Sequence, residues 1–135
     1  MEDEKSFKFQ IADETHLFDL INLGIESSTE KSSIEILSRI QSVNDFYSIC
    51  IFNGKVIAKC LIKKCRLMED DTDDTYYLRE VYKNKFYIDF KMKNLLKFTI
   101  QEFFNRCSYP SLKLFVDVLN SRAIRLYKNL NFKVI

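Results

Sequence analysis

Residues 110–135, PSLKLFVDVLNSRAIRLYKNLNFKVI, carry the pattern from which the rest of the chain can be read. Leu112, Leu114, Val116 and Val118 alternate with Lys113, Phe115 and Asp117, the period of a strand with one buried face. Asn120 stands where a helix N-cap belongs, since its short side chain can accept a hydrogen bond from the helix's first turn. Ala123, Leu126, Tyr127 and Leu130 then recur at helical spacing. Asn131 takes the place that glycine usually fills at a helix stop. The residues after it open as a further strand, so the segment predicts strand, short capped helix, strand.

Working outward, a helix of about four turns follows the basic connection Lys83-Asn84-Lys85, with a buried stripe of Met92, Leu95, Leu96, Thr99, Ile100 and Phe103. Cys107 to Pro110 ends it. Thr75 to Tyr82 is β-branched and aromatic, as a strand requires. Phe46 to Phe52 and Lys55 to Lys64 are strands joined by Asn53-Gly54, a dipeptide suited to the two positive-φ positions of a tight hairpin. Val56, Ala58, Cys60 and Ile62 fall on one face of the second. Met68 to Asp74 is an acidic, solvated hairpin tip; it lacks the regular ligand spacing and the turn glycine of a calcium loop.

At the other end, Ser6 to Ala12 reads as an edge strand. Asp13 caps a helix carrying Leu17, Phe18, Leu20, Ile21 and Leu23 and ending near Gly24, with His16 in a capping or solvated role. A polar, turn-rich connection follows over 27–33. A second helix carries Ile34, Leu37 and Ile40 on its apolar stripe and closes at Asn44-Asp45. The order is strand, two helices, three antiparallel strands, helix, strand, helix, strand. An antiparallel meander followed by a βαβ crossover predicts a single α+β (mixed α/β) three-layer domain over residues 1–135.

Composition bounds the function. The 135 residues are 47% hydrophobic, enough for a core without a disulfide or metal staple. A net charge of +2 speaks against a dedicated nucleic-acid or ribosome binder. Cys50, Cys60, Cys65 and Cys107 form no CxxC pair, and one His does not complete a zinc set with them. They read as reduced small hydrophobes, no metal is expected, and no signal peptide or membrane span is evident. The cytosol or nucleus is the default compartment.

The 110–135 segment resembles the GNAT superfamily of N-acetyltransferases, within it the branch that acetylates protein N-termini. Asn120, Ala123, Leu126, Tyr127 and Phe132 stand at the positions of that family's strand-Asn-helix pattern. Element order extends the resemblance over nearly the whole chain. It implies a GNAT-like acyl-CoA N-acyltransferase fold, a mostly antiparallel sheet flanked by helices, with the last strand of the family missing and one sheet edge open. It also implies acetyl-CoA as cofactor and an amine acceptor, such as a protein N-terminus or lysine.

The resemblance further assigns roles. Tyr127 is similar to the family tyrosine that protonates the departing thiolate; a phenol with a pKa of about 10 suits an alkyl thiol. Asn120 would orient the pantetheine arm, beside the strand residues Val81 and Tyr82. Where the family has Arg or Gln and glycines that cradle the pyrophosphate, this chain has Tyr87-Ile88-Asp89-Phe90-Lys91-Met92. Lys91 and Lys93, with Lys83 and Lys85, would then meet the phosphates by charge. The family's His on the strand before the asparagine is replaced by Phe115, which leaves Glu80 as the candidate base, near Tyr76 and Tyr77. The loop between the first two helices lacks the branch's acceptor motif. The alternative is a catalytically inactive GNAT-fold module serving a protein partner as a regulatory subunit.

Overall fold

The computed structural model describes residues 6–28, 31–108 and 110–134. Among these residues five strands form one sheet in sequence order: β1 (Lys8–Ile11), β2 (Phe46–Phe52), β3 (Lys55–Lys64), β4 (Thr75–Lys83) and β5 (Ser111–Lys113). The first four are antiparallel and β5 joins β4 in parallel. Helices α1 (Leu17–Glu26) and α2 (Ser33–Gln41) share the cluster of Leu20, Leu23 and Ile36 with Tyr47, Ile49 and Leu61 on one face of the sheet. Helix α3 (Met92–Arg106) packs Leu95, Leu96 and Phe103 on the other face, where α4 (Ser121–Asn129) adds Leu126 and Tyr127. The expected three-layer α+β architecture is therefore the observed one.

Local chemistry explains the elements. Asn53 and Gly54 take φ values of +52° and +77°, as the hairpin reading requires. Asp13 and His16 form a reciprocal capping box, with Thr15 N–H donating to Asp13 Oδ1 at 2.9 Å and Asp13 N–H to His16 Nδ1 at 2.9 Å. Asn120 caps α4 by accepting from Ala123 N–H at 3.1 Å. At the other end of α4, Asn131 is left-handed (φ +73°). Its N–H donates to Lys128 O at 2.9 Å and the Phe132 N–H to Tyr127 O at 3.0 Å, while the Phe132 ring rests on that of Tyr127.

Several expectations are corrected. The strand read over 112–118 is paired only as far as Lys113; beyond it the alternation persists without a ladder, and Val118 is 84% exposed. Residues 132–134 likewise form no strand. Helix α1 runs past Gly24 to Glu26. In α2 the buried positions are Ile36 and Arg39, and Ile34 is 79% exposed. Of the expected stripe, Ile40 does pack on the core and Leu37 is half-buried, but its centre is shifted because a buried arginine occupies it. Val56 faces the α1–α2 layer instead of sharing the face of Ala58, Cys60 and Ile62. The register shift opposite Cys50–Ile51 leaves Ile57 as an extra residue and turns Val56 over. Thr29 and Glu30 of the expected polar connection, Tyr109 of the helix stop and Ile135 lie outside the described residues.

The acidic loop is exposed, as expected of a hairpin tip, except at Asp71. Asp71 has a fully buried carboxylate, which accepts from the Leu67 and Met68 N–H groups at 2.9 Å each, from Tyr77 OH at 2.5 Å and from Lys113 Nζ at 2.5 Å. It stitches the β3–β4 connection to the end of β5. The four cysteines are free, Cys50 and Cys60 buried and the other two half-buried. Among the described residues no three His, Cys, Asp or Glu side chains converge as metal ligands, and no helix is long and apolar enough to cross a membrane.

Two measurements test this packing. Burial alone would raise the Asp71 carboxyl, but Lys113, Tyr77 and the two amides together hold it well below its ordinary 3.8. Its contribution is therefore complete above that value and fades as pH falls toward the depressed one. Urea unfolding should show Asp71→Asn clearly less stable at pH 7, with the gap narrowing in acid. Phe90, 1% exposed, meets Phe7 and Phe9 edge-on at 5.5 and 6.5 Å. Phe90→Ala should lose about 3–5 kcal/mol in the same assay.

Candidate active-site cleft

The sheet opens between β4 and β5. Their ladder spans only Thr75–Tyr77 against Ser111–Lys113, and beyond it the two backbones part. The opening is a cleft of about 290 Å³ lined by Tyr77, Leu78, Arg79, Glu80, Val81, Leu114, Phe115 and Tyr127. A larger apolar groove of about 610 Å³ continues along β5 to α4 and shares Tyr77, Leu114, Phe115 and Tyr127 with it.

One residue of β4 shapes this region. Lys59 pairs with Tyr82 and Leu61 with Arg79, so Glu80 and Val81 together stand opposite Cys60. This is a bulge whose first residue, Glu80, has φ +53°, a conformation that glycine adopts more readily. The alternation of Tyr76 and Leu78 would otherwise aim Glu80 into the apolar α3 layer. With the extra residue, Val81 takes that place and Glu80 turns to the α1–α2 side.

There the Glu80 side chain is 10% exposed and held among donors. Its Oε2 accepts from Arg39 Nη1 at 2.6 Å, and its Oε1 from Lys59 Nζ at 3.0 Å and Tyr47 OH at 3.4 Å. Arg39 also donates to Tyr47 OH at 2.8 Å and to Glu35 at 3.2 Å. The Lys59 side chain is 3% exposed. Burial pushes the Glu80 carboxyl up, but Lys59 and then Arg39 outweigh it and leave the group below its ordinary value.

Tyr127, on the inner face of α4, is half-buried, and among the described residues none hydrogen-bonds its hydroxyl. Burial, with a smaller influence of the Cys60 thiol, raises its pKa. Phe115 stacks on Tyr77 with ring centroids 5.4 Å apart and planes 15° from parallel. Tyr77 donates its proton to Asp71, and burial and that bond raise its pKa to about 12.

The cleft thus brings together Tyr127, Glu80 and Val81 of the anticipated residues. It does not include the others. Asn120 is exposed at the start of α4 with its side-chain oxygen used as the cap. Tyr82 leans toward α1 and donates to Glu26 at 3.2 Å. Tyr76 packs on Phe103 in the α3 layer. Lys91 and Lys93 lie at the N-terminus of α3, where Lys91 provides no side-chain cap. Lys83 donates to Phe90 O at 3.4 Å. Phe90 itself fills the core under β1 and leaves the cleft unobstructed.

Sequence reasoning missed Arg39, Lys59 and Tyr47. The signals were present: a lysine inside the apolar run Val56 to Ile62, and a glutamate one step out of phase with Val81.

No family model matches the sequence, and no curated protein does. Solved structures do match. An acetyltransferase of the GNAT family from Streptococcus pneumoniae superposes with a TM-score of 0.74 at 17% identity, over 96% of this chain and 86% of its own. AAC(6')-Iy, in complex with the bisubstrate analogue CoA-S-monomethyl-acetylneamine, gives 0.74 at 13% identity over 96% and 92%. The aminoglycoside acetyltransferase meta-AAC0020 from an uncultured soil metagenomic sample gives 0.71 at 14% identity over 98% and 94%. At these identities the likeness speaks to architecture, and it is unambiguous: the chain has the fold of the GNAT acetyltransferases.

Proposed function

We propose that this chain is an acetyl-CoA-dependent N-acetyltransferase acting on an amine. The observation that carries the reading is the cleft between the parting strands β4 and β5, bordered by the Glu80–Val81 bulge and by the phenol of Tyr127. A neighbour of the same fold was determined with a coenzyme A bisubstrate analogue.

The residues present suit such a ligand. Lys91 and Lys93, at the start of a 15-residue helix with no capping side chain, offer cationic groups and backbone N–H donors to a pyrophosphate. Phe90, by turning into the core, leaves that helix end uncovered by its ring. The thioester would supply an acyl carbon open to attack by the acceptor nitrogen. Tyr127, which burial keeps as a neutral phenol, can give its proton to the thiolate that departs as the C–S bond breaks, while the proton displaced from the attacking nitrogen passes to water. Val81 borders the pantetheine path along β4, and Asn120 fixes α4 and with it the position of Tyr127. Protein N-termini and lysine side chains are the first acceptors to assay, with an aminoglycoside as the comparison that the neighbours suggest.

A second reading, a catalytically inactive module that serves a partner as a regulatory subunit, is favoured by the absence of glycine from the 84–91 loop. A thermal shift decides between them. Acetyl-CoA and desulfo-CoA at about 100 times Kd should each add about 2.7 kcal/mol of stability; no shift with either would leave only the inactive module. In the active case, Tyr127→Phe should lower kcat by about 10²-fold or more while leaving the Kd for acetyl-CoA nearly unchanged. Equal loss of both would make Tyr127 a packing residue.

A further inference from the structure

The ion cluster around Glu80 is larger than a single pair, and it converges on the one strained residue of β4. Glu80 keeps a left-handed backbone without being glycine, and such a conformation persists only where its surroundings over-determine it. The surroundings come from three elements. Arg39 reaches from α2, Tyr47 from β2 and Lys59 from β3, and all three donate to the same carboxylate. Glu35, at the rim of α2, completes the charge balance by accepting from Arg39.

We propose that Glu80 is a positioning residue and that Arg39 is the strut that makes it one. The carboxylate, clamped from α2, β2 and β3, holds the Glu80–Val81 backbone in the bulge that borders the cleft, and so keeps the coenzyme path along β4 open. The link to coenzyme binding rests on the transferase reading above.

The same contacts argue against Glu80 as the base. Both of its oxygens are engaged by donors. Protonating it would leave the Lys59 and Arg39 cations buried side by side with only the rim carboxylate of Glu35 to answer them. A base role would need the opposite arrangement, a carboxylate whose neutral form its neighbours favour.

The test measures acetyl-CoA affinity by titration calorimetry, and the pH profile of kcat/KM, for wild type, Glu80→Gln, Arg39→Met and the double variant. If the clamp positions the bulge, each single change weakens coenzyme binding by about tenfold or more, and the double is no worse than either because one tether is cut twice. The acid limb of the profile persists in Glu80→Gln. Unchanged affinity with loss of that limb would overturn the proposal and make Glu80 the base.

Glu80→Gln combined with Lys59→Met removes a buried cation together with the carboxylate; it should fold and show the same loss of affinity. Hydrogen exchange at residues 79–82, measured without ligand, separates the two readings. Faster exchange there in Arg39→Met supports the clamp, and unchanged exchange overturns it. Failure of the wild type to bind acetyl-CoA would sink the transferase reading while leaving that exchange result to decide the clamp.

Discussion

Strand β4 carries one residue more than β3 can pair, and the rest of the molecule accommodates that surplus. Opposite Cys60 the ladder meets two residues, so the face of every later β4 side chain is exchanged. Val81 enters the apolar layer, Tyr82 turns toward α1, and Glu80 is delivered to two buried cations. The bulge would be unfavourable alone, since an unpaired residue in a left-handed conformation forfeits a ladder bond. Charge-assisted hydrogen bonds at 2.6 and 3.0 Å offset it.

The opening between β4 and β5 is set from two ends. At the closed end Asp71 collects two backbone amides, a phenol and an ammonium, and so ties Lys113 to the foot of β4. At the open end, past the last β4–β5 pair, β4 carries the Glu80–Val81 bulge. Between them the Tyr77–Phe115 stack replaces backbone pairing with ring contact. A parallel strand pair held at three residues and then released is thus a consequence of where the polar anchors lie, more than of strand propensity. The alternation from Leu112 to Val118 would have supported a longer strand.

That contrast marks what the chain discloses in advance. Short-range chemistry was readable: the Asn53-Gly54 turn, the Asn120 cap and the left-handed stop at Asn131 each depend on the residue itself and a few neighbours. Element order through α4, and with it the layer architecture, followed from periodicity, whereas the clustering of Tyr127 with β4 was what the family resemblance implied. Long-range polar pairing was not readable. Asp71 lies among acidic residues that are exposed, and only its partners, 3 to 42 residues away, distinguish it. Arg39 broke the stripe expected for α2 because its partner, Glu80, is 41 residues distant. The bulge itself left a trace, a glutamate out of phase, that is legible once the neighbouring strand's lysine is read with it.

The distribution of thiols gives the molecule an internal clock. Cys65 and Cys107 lie partly open at the margins, while Cys50 and Cys60 sit inside the sheet, where burial raises both to about 12. An alkylating reagent should therefore mark the first two from the native state and the second two only when the sheet itself separates. Without any introduced label, the chain records its own opening as the step from two modified sulfurs to four.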